Sequence, residues 1–156
     1  MTESKVKIEE EKFLPEILVF CCNWCSYAGA DLAGVSRFQY PPSIRIVRVM
    51  CSGRIEPAFI LTAFKNGIDG VLVTGCHIGD CHYISGNELA RKRMNHMEAL
   101  LRKVGITPER FRFEWISASE GKQFAELIRE FTDTITALGP CGFPKTLGKI
   151  EILKER

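Results

Sequence analysis

Cysteine is the residue type whose number and spacing in this chain point to chemistry. The 156-residue sequence has seven cysteines, and five of them fall into three short segments, at Cys22 and Cys25, at Cys51, and at Cys76 and Cys81. Thiolates are common ligands of iron–sulfur clusters and of structural zinc. The C-x₄-C spacing of Cys76 and Cys81 also occurs in plant-type [2Fe–2S] loops. An odd count of cysteines argues against a fully paired disulfide framework. The clustered spacing therefore predicts a metal site.

The elements that must position these cysteines form an alternating series. Short apolar and β-branched runs predict strands at 17–22, 44–50, 70–75 and 111–116. Helical periodicity predicts helices at 28–38, 56–65 and 88–104, and a fourth that follows a capping-box segment at 117–120 and ends near 138. Four β-α units in succession predict an α/β fold, a doubly wound, flavodoxin-like parallel sheet of about four strands with helices on both faces.

The chain is long enough for one domain of ordinary size. We expect that domain over residues 15–140, between an N-terminal tail of residues 1–14 and a C-terminal tail of residues 141–156.

The five clustered cysteines all follow the ends of predicted strands. Cys22 ends the first strand, Cys51 follows the second, and Cys76 follows the third. Ligands of open parallel sheets bind at the carboxyl ends of the strands, so these thiols are expected at one edge of the sheet. The adjacent Gly53 and Gly75 would let backbone N–H groups approach the sulfurs of a cluster.

Two irons need four thiolates, and five candidates are available. The spacing predicts that Cys76 and Cys81 bind one iron, while Cys51 and one member of the C-x₂-C pair bind the other. We favour Cys25 as that member because the N-terminus of the following helix would stabilise its thiolate. Cys22 is the alternative ligand or a neighbouring thiol.

The remaining candidates receive ordinary structural roles. Cys21 lies within a strand and is expected in the core. Cys141 follows the last helix and is not expected to be a ligand. His77 and His82 each follow a cysteine and are interpreted as loop residues that form hydrogen bonds.

Two other functions compete with a redox cluster. Four cysteines also bind structural zinc, which would make the chain a redox-silent scaffold module. The Cys22/Cys25 pair beside a β-α unit is also compatible with a dithiol oxidoreductase. The zinc hypothesis is weakened because only one close C-x₂-C pair exists, and the dithiol hypothesis leaves Cys51, Cys76 and Cys81 without a role.

Composition argues against several other classes of protein. The net charge of +2 gives no sign of a nucleic-acid-binding protein. No apolar run reaches the roughly 18 residues of a membrane-spanning helix, and the charged N-terminus does not resemble a signal peptide, so a cytoplasmic protein without membrane contact is expected. Neither a G-x-G-x-x-G nor a Walker A sequence indicates a nucleotide site.

Several long motifs in this order resemble the delta subunit of methyl-viologen-reducing hydrogenase. They are Phe20-Cys21-Cys22-Asn23-Trp24-Cys25 with its continuation to Asp31, Arg48-Val49-Met50-Cys51-Ser52-Gly53-Arg54, the segment from Gly75 to Tyr83, and Glu114-Trp115-Ile116-Ser117-Ala118. The resemblance covers about residues 15–140.

This resemblance implies a non-catalytic electron-transfer subunit with one [2Fe–2S] cluster, held by four of the five clustered cysteines. Members of the family relay electrons from a [NiFe] hydrogenase or a formate dehydrogenase to the flavin-containing A subunit of heterodisulfide reductase, in flavin-based electron bifurcation linked to methanogenesis. The loops Tyr40-Pro41-Pro42 and Tyr83-Ile84-Ser85 are candidate contacts with such partners, with ordinary loop packing as the alternative interpretation of both.

Overall fold

A computed structural model describes residues 13–143. Its strands are β1 Ile17–Cys22, β2 Ile44–Val49, β3 Gly70–Gly75 and β4 Phe111–Trp115. Its α-helices are α1 Ser26–Val35, α2 Pro57–Lys65, α3 Gly86–Met94, α4 Met97–Lys103 and α5 Gly121–Leu138, with short 3₁₀ turns at Ser52–Arg54 and Pro108–Arg110. The predicted tails fall mainly outside the described residues.

The four strands form one all-parallel sheet in the order β2-β1-β3-β4. In the central pairing, Ile17 of β1 lies opposite Ile44 of β2 and Gly70 of β3. Because the three strands start level and each has six residues, their carboxyl ends are level too. The predicted α/β, doubly wound sheet is therefore confirmed.

Helices cover both faces of the sheet and bury two separate apolar clusters. On one face, α1 and α5 pack on the sheet, with Ala33 and Phe124 among the fully buried side chains. On the other face, α2, α3 and α4 contribute residues such as Phe64 and Met97 to a second cluster. Cys21 belongs to the first cluster and is fully buried, as expected for a core residue.

The helix predicted over 88–104 is wrong in one respect, because the structure contains two helices there. The helix α3 ends at Met94 and α4 starts at Met97, with Asn95 and His96 between them. Neither Asn nor His favours a helix interior. Met94 and Met97, on either side of the break, are both buried in the second apolar cluster.

The first helix crosses the start of α5 at very close range. A Cβ at Gly29 would stand 2.7 Å from the Ser117 carbonyl oxygen and 3.1 Å from Cγ2 of Ile116. A Cβ at Gly34, in the same helix, would meet nothing within 4 Å. The absence of a side chain at Gly29 therefore allows α1 to pack against the β4-α5 loop.

Gly29→Ala is expected to lower the free energy of unfolding by about 1–3 kcal/mol, because backbone cannot yield to the added methyl group. Gly34→Ala, the matched control in α1, is expected to raise it by up to about 1 kcal/mol through helix propensity. Urea denaturation of both variants checks this pair. Equal effects at the two positions would contradict the close crossing.

Candidate metal centre

The strand register brings the clustered cysteines together at the carboxyl edge of the sheet. Cys22 is the last residue of β1, Cys76 directly follows β3, and Cys25 directly precedes α1. The sulfurs of these three residues all lie within 4.8 Å of one another. The Sγ atoms of Cys22 and Cys76 are 3.7 Å apart. These three thiols form a buried group, which we call the inner thiols.

A second pair of thiols lies nearer to solvent. Cys51 follows β2, Cys81 lies in the loop after β3, and their Sγ atoms are 3.9 Å apart. Both residues are partly exposed. The Gly53 backbone N–H donates to the Cys51 sulfur over 3.4 Å. We call Cys51 and Cys81 the outer thiols.

This grouping differs from the pairing that the spacing predicted. Cys76 lies beside Cys22, whereas Cys81 lies beside Cys51. The C-x₄-C segment contains a turn in which the Asp80 N–H donates to the His77 carbonyl oxygen, and its two cysteines contact different partners. All five cysteines lie at this edge of the sheet, but sequence separation did not indicate which sulfurs are neighbours.

The distances suit thiolates that share a tetrahedral metal ion. With metal–sulfur bonds of about 2.3 Å and tetrahedral angles, two thiolate sulfurs on one ion lie about 3.8 Å apart. The contacts between Cys22 and Cys76, at 3.7 Å, and between Cys51 and Cys81, at 3.9 Å, both match this value. The donor set contains only sulfur, which favours iron–sulfur clusters or zinc over hard cations.

Glycines permit the close packing around the outer thiols. A Cβ at Gly86, the first residue of α3, would overlap the Cys51 sulfur and stand 3.2 Å from the Cys81 sulfur. A Cβ at Gly53 would stand 2.5 Å from the Gly86 carbonyl oxygen. The α3 N-terminus and the 3₁₀ turn can therefore enclose the outer thiols only without side chains at these positions.

Hydrogen bonds from buried side chains fix the inner thiols to the sheet. The Ser26 hydroxyl accepts from the Cys22 N–H over 2.8 Å and donates to the Thr74 carbonyl oxygen over 3.1 Å. The buried Asn87 amide donates to the carbonyl oxygens of Cys76 and His77, over 3.1 and 2.7 Å. The strand ends that carry Cys22 and Cys76 are thus connected to α1 and α3.

The inner thiols do not titrate alike. Hydrogen bonding from Cys25 lowers the pKa of Cys22 to about 5, and the same contact raises the pKa of Cys25. Burial raises the pKa of Cys76 to about 11 and also raises the pKa of Cys51. One thiolate with protonated neighbours is therefore favoured, and a metal cation would displace the remaining protons.

Aromatic side chains link the loops on the solvent side of the site. The Trp24 indole stacks on the His82 imidazole with ring centroids 3.8 Å apart. Its Nε1–H donates to the Tyr83 hydroxyl over 3.2 Å. The loop after β1 and the loop after β3 are therefore joined across the cysteines. Sequence reasoning gave Trp24 no role, and no spacing rule would have paired it with a residue so much later in the chain.

The family of the chain follows from comparison with known sequences. The profile described as "Methyl-viologen-reducing hydrogenase, delta subunit" matches residues 17–139. The chain belongs to this family. It is 56% identical over 141 residues to the iron-sulfur D subunit of the F420-non-reducing hydrogenase vhc of Methanococcus voltae, a match that covers 90% of this chain and 98% of that protein. The family predicted from the motifs is therefore confirmed.

Two further relatives contain a similar sequence in different contexts. The iron-sulfur D subunit of the F420-non-reducing hydrogenase of Archaeoglobus profundus is 53% identical over 135 residues, 86% of this chain and 98% of that protein. The A subunit of the Ferredoxin/F(420)H(2)-dependent CoB-CoM heterodisulfide reductase of Methanosarcina acetivorans is 51% identical over 128 residues. That match covers 82% of this chain but 16% of the longer protein.

None of the helices within residues 13–143 is both long and apolar enough to cross a membrane.

His77 and His82 are loop residues whose side chains contact neighbouring side chains. His82 stacks on Trp24, and Nε2 of His77 lies 2.7 Å from Oε2 of Glu120. The same Glu120 oxygen accepts from the Ser117 N–H over 2.7 Å, so it joins the site loop to the start of α5.

Glu120→Gln is expected to reduce the free energy of unfolding at pH 7 by no more than about 1 kcal/mol, because both partners are partly exposed. The Ser117 N–H and His77 lower the pKa of Glu120 below its ordinary 4.5. A lowered folded-state pKa stabilises the protein above the ordinary value and stops doing so as the pH falls through the lowered one. Urea denaturation should show that the wild type and Glu120→Gln differ in free energy of unfolding at pH 7 but not near pH 3. A difference that persists near pH 3 would contradict this account.

Proposed function

We propose that this chain is a [2Fe–2S] electron-transfer subunit. In this proposal it relays electrons from a [NiFe] hydrogenase or a formate dehydrogenase to the flavin-containing A subunit of heterodisulfide reductase, in a cytoplasmic electron-bifurcating complex. The observation that carries the proposal is the grouping of five thiols at one sheet edge, four of which form two close sulfur–sulfur contacts. The words "iron-sulfur subunit" in the names of the similar hydrogenase proteins support the cofactor class.

The observed sulfur contacts support one ligand set. Cys51 and Cys81 would hold one iron, and Cys76 with either Cys22 or Cys25 would hold the other. A [2Fe–2S] cluster supplies a site that accepts and releases one electron at a time. The protein residues supply the thiolates, the Gly53 N–H that donates to Cys51, and the buried hydrogen bonds that hold the strand ends in place.

The similarity to the heterodisulfide reductase protein supports the partner. In the Methanosarcina acetivorans protein, a segment 51% identical to this chain lies within one much longer polypeptide. Domains that are covalently joined in one organism often function next to each other as separate chains elsewhere. We therefore propose that this chain docks beside a heterodisulfide reductase A subunit.

The outer thiols open toward an apolar surface that suits such docking. A shallow cavity of about 550 Å³ lies beside Cys51, between Met50, Tyr83 and Leu89. Ile84, next to Tyr83, is 87% exposed and has a φ of 71°, a strained conformation for a β-branched residue. Of the two predicted contact loops, the one with Tyr83 and Ile84 borders the site. Tyr40, in the other loop, packs edge-on against Phe124 of the core.

The two competing functions, a dithiol oxidoreductase and a zinc scaffold, are distinguished from the cluster by the metal content of the protein. The lowered pKa of Cys22 and the raised pKa of Cys25 resemble those of a reactive dithiol. However, Cys22 is 1% and Cys25 6% exposed, so a disulfide substrate could not reach them without rearrangement. A zinc ion would satisfy the same sulfurs but would carry no electrons.

Anaerobically purified protein is expected to contain about two irons and two sulfides per chain and, after dithionite reduction, to give an S = 1/2 EPR signal. Cys51→Ser and Cys76→Ser should each remove most of the iron and the visible absorbance. Cys141→Ser is the control, because its backbone N–H bonds to Asp69 at the opposite end of β3. Comparing Cys22→Ser with Cys25→Ser identifies the fourth ligand, since only the true ligand should abolish the signal.

One zinc per chain, or no metal after anaerobic reconstitution, would contradict the proposal. In the first case the chain would be a scaffold module, and in the second disulfide reductase activity lost on Cys22→Ser would identify the dithiol alternative.

Ile84→Glu is expected to leave iron and sulfide contents unchanged while slowing electron transfer to a heterodisulfide reductase A subunit by about tenfold or more, because a charge would be buried at the contact. Val35→Glu is the matched control, since Val35 is also exposed, at 75%, but lies at the far end of α1 from the site. Stopped-flow reduction of the partner measures both rates. Equal rates for the two variants would exclude the Tyr83-Ile84 loop from the contact.

A further inference from the structure

Buried hydroxyl groups divide into two classes in this protein. Within residues 13–143, three buried hydroxyls form hydrogen bonds, those of Ser26, Thr74 and Thr132. Two others, those of Ser43 and Ser52, have no hydrogen-bond partner among the described residues. A buried hydroxyl without a partner loses its bonds to water and gains nothing in return. Such an orphan therefore needs an explanation.

The two orphaned hydroxyls lie at opposite ends of the sheet. Ser43 directly precedes β2, and its carbonyl oxygen accepts from the N–H of Ile17 at the start of β1. Ser52 lies beyond the other end of β2, directly after Cys51, and is fully buried. Only Ser52 is therefore near the thiols, and Ser43 provides a natural comparison.

All three ligand-bearing strand ends meet at Ser52. It follows Cys51 in the chain, and the 3₁₀ turn that it begins contacts both β1 and β3. Its Oγ lies against Gly75, the residue before Cys76, so closely that a Cβ at Gly75 would be 2.7 Å away. Ser52 is thus fully buried where the segments of Cys22, Cys51 and Cys76 meet.

The other orphaned atom near the site has the wrong chemistry to serve a sulfur. Asn87 Oδ1 is also buried without a partner among the described residues, while its amide nitrogen donates to two carbonyl oxygens. A carbonyl oxygen only accepts hydrogen bonds, and thiolate and sulfide sulfurs are acceptors too. Ser52 is a donor, so its hydroxyl can bond to an anionic sulfur.

We propose that the Ser52 hydroxyl donates a hydrogen bond to a sulfur of the bound cluster and thereby raises its reduction potential. The inference rests on the proposed [2Fe–2S] function. A donor stabilises the reduced form more than the oxidised form, because reduction adds negative charge to the sulfurs. Ser52 therefore tunes the potential without ligating iron, and the bond to sulfur satisfies a hydroxyl that the described protein groups leave unpaired.

The test is a redox titration of three proteins that are matched in cluster content. Ser52→Ala is expected to bind iron and sulfide as the wild type does, because alanine is smaller than serine and removes only the orphaned oxygen. The equilibrium constant for reduction of its cluster should fall about tenfold, which for a one-electron couple lowers the reduction potential by about 59 mV. Ser43→Ala removes an orphaned hydroxyl away from the thiols and should leave the potential unchanged. EPR-monitored titration measures all three potentials.

Each other result would overturn the inference. Equal potentials in the wild type, Ser52→Ala and Ser43→Ala would show that the hydroxyl does not reach the cluster. A folded Ser52→Ala protein without iron would show that the hydroxyl is needed for cluster retention instead of tuning. If Ser52→Ala does not fold, Ser52→Gly, which also lacks the hydroxyl, is titrated in its place. Failure of the proposed function is distinguishable, because the wild type itself would then contain no iron and sulfide and would have no potential to measure.

Discussion

The level carboxyl ends of three parallel strands are the constraint on which the site depends. Ile17, Ile44 and Gly70 pair directly, so β1, β2 and β3 end at the same height and deliver Cys22, Cys51 and Cys76 to one edge. A slip by one residue would shift a strand by about 3.3 Å and turn its side chains to the other face. Both faces of the sheet are buried by helices, which opposes such a slip.

Small residues allow the loops after the strands to pack closely enough for the cysteine sulfurs to come into contact. The Gly86 and Gly53 backbones approach each other beside the outer thiols, and Gly75 accommodates Ser52 beside the inner ones. Buried polar atoms of Ser52 and Asn87 lack partners there among the described residues. The helical layers therefore supply the stability that this edge lacks, consistent with functional sites that violate local packing rules.

The sequence predicted the strands and the common edge of the cysteines because both depend on periodicity and chain order. It did not predict that Cys81 lies beside Cys51 instead of Cys76, since that contact depends on the conformation of the loop after β3. The break between α3 and α4 was missed because one apolar periodicity runs through both helices. Trp24 and Ser52 could not be assigned, since stacking and burial are tertiary properties.

The two thiol groups differ in ways that give the site a direction. The inner thiols are buried and are held by Ser26 and Asn87, which connect them to the sheet and to two helices. The outer thiols are partly exposed, and Cys51 borders an apolar cavity. The hydrogen bonds of the inner thiols would hold the geometry of proposed ligands in place, as a preorganised site requires. Because only the outer thiols reach the surface, the proposed function implies that electrons pass to a partner through Cys51 and Cys81. The shape of the loop that carries Tyr83 and Ile84 would then decide which partner comes close enough.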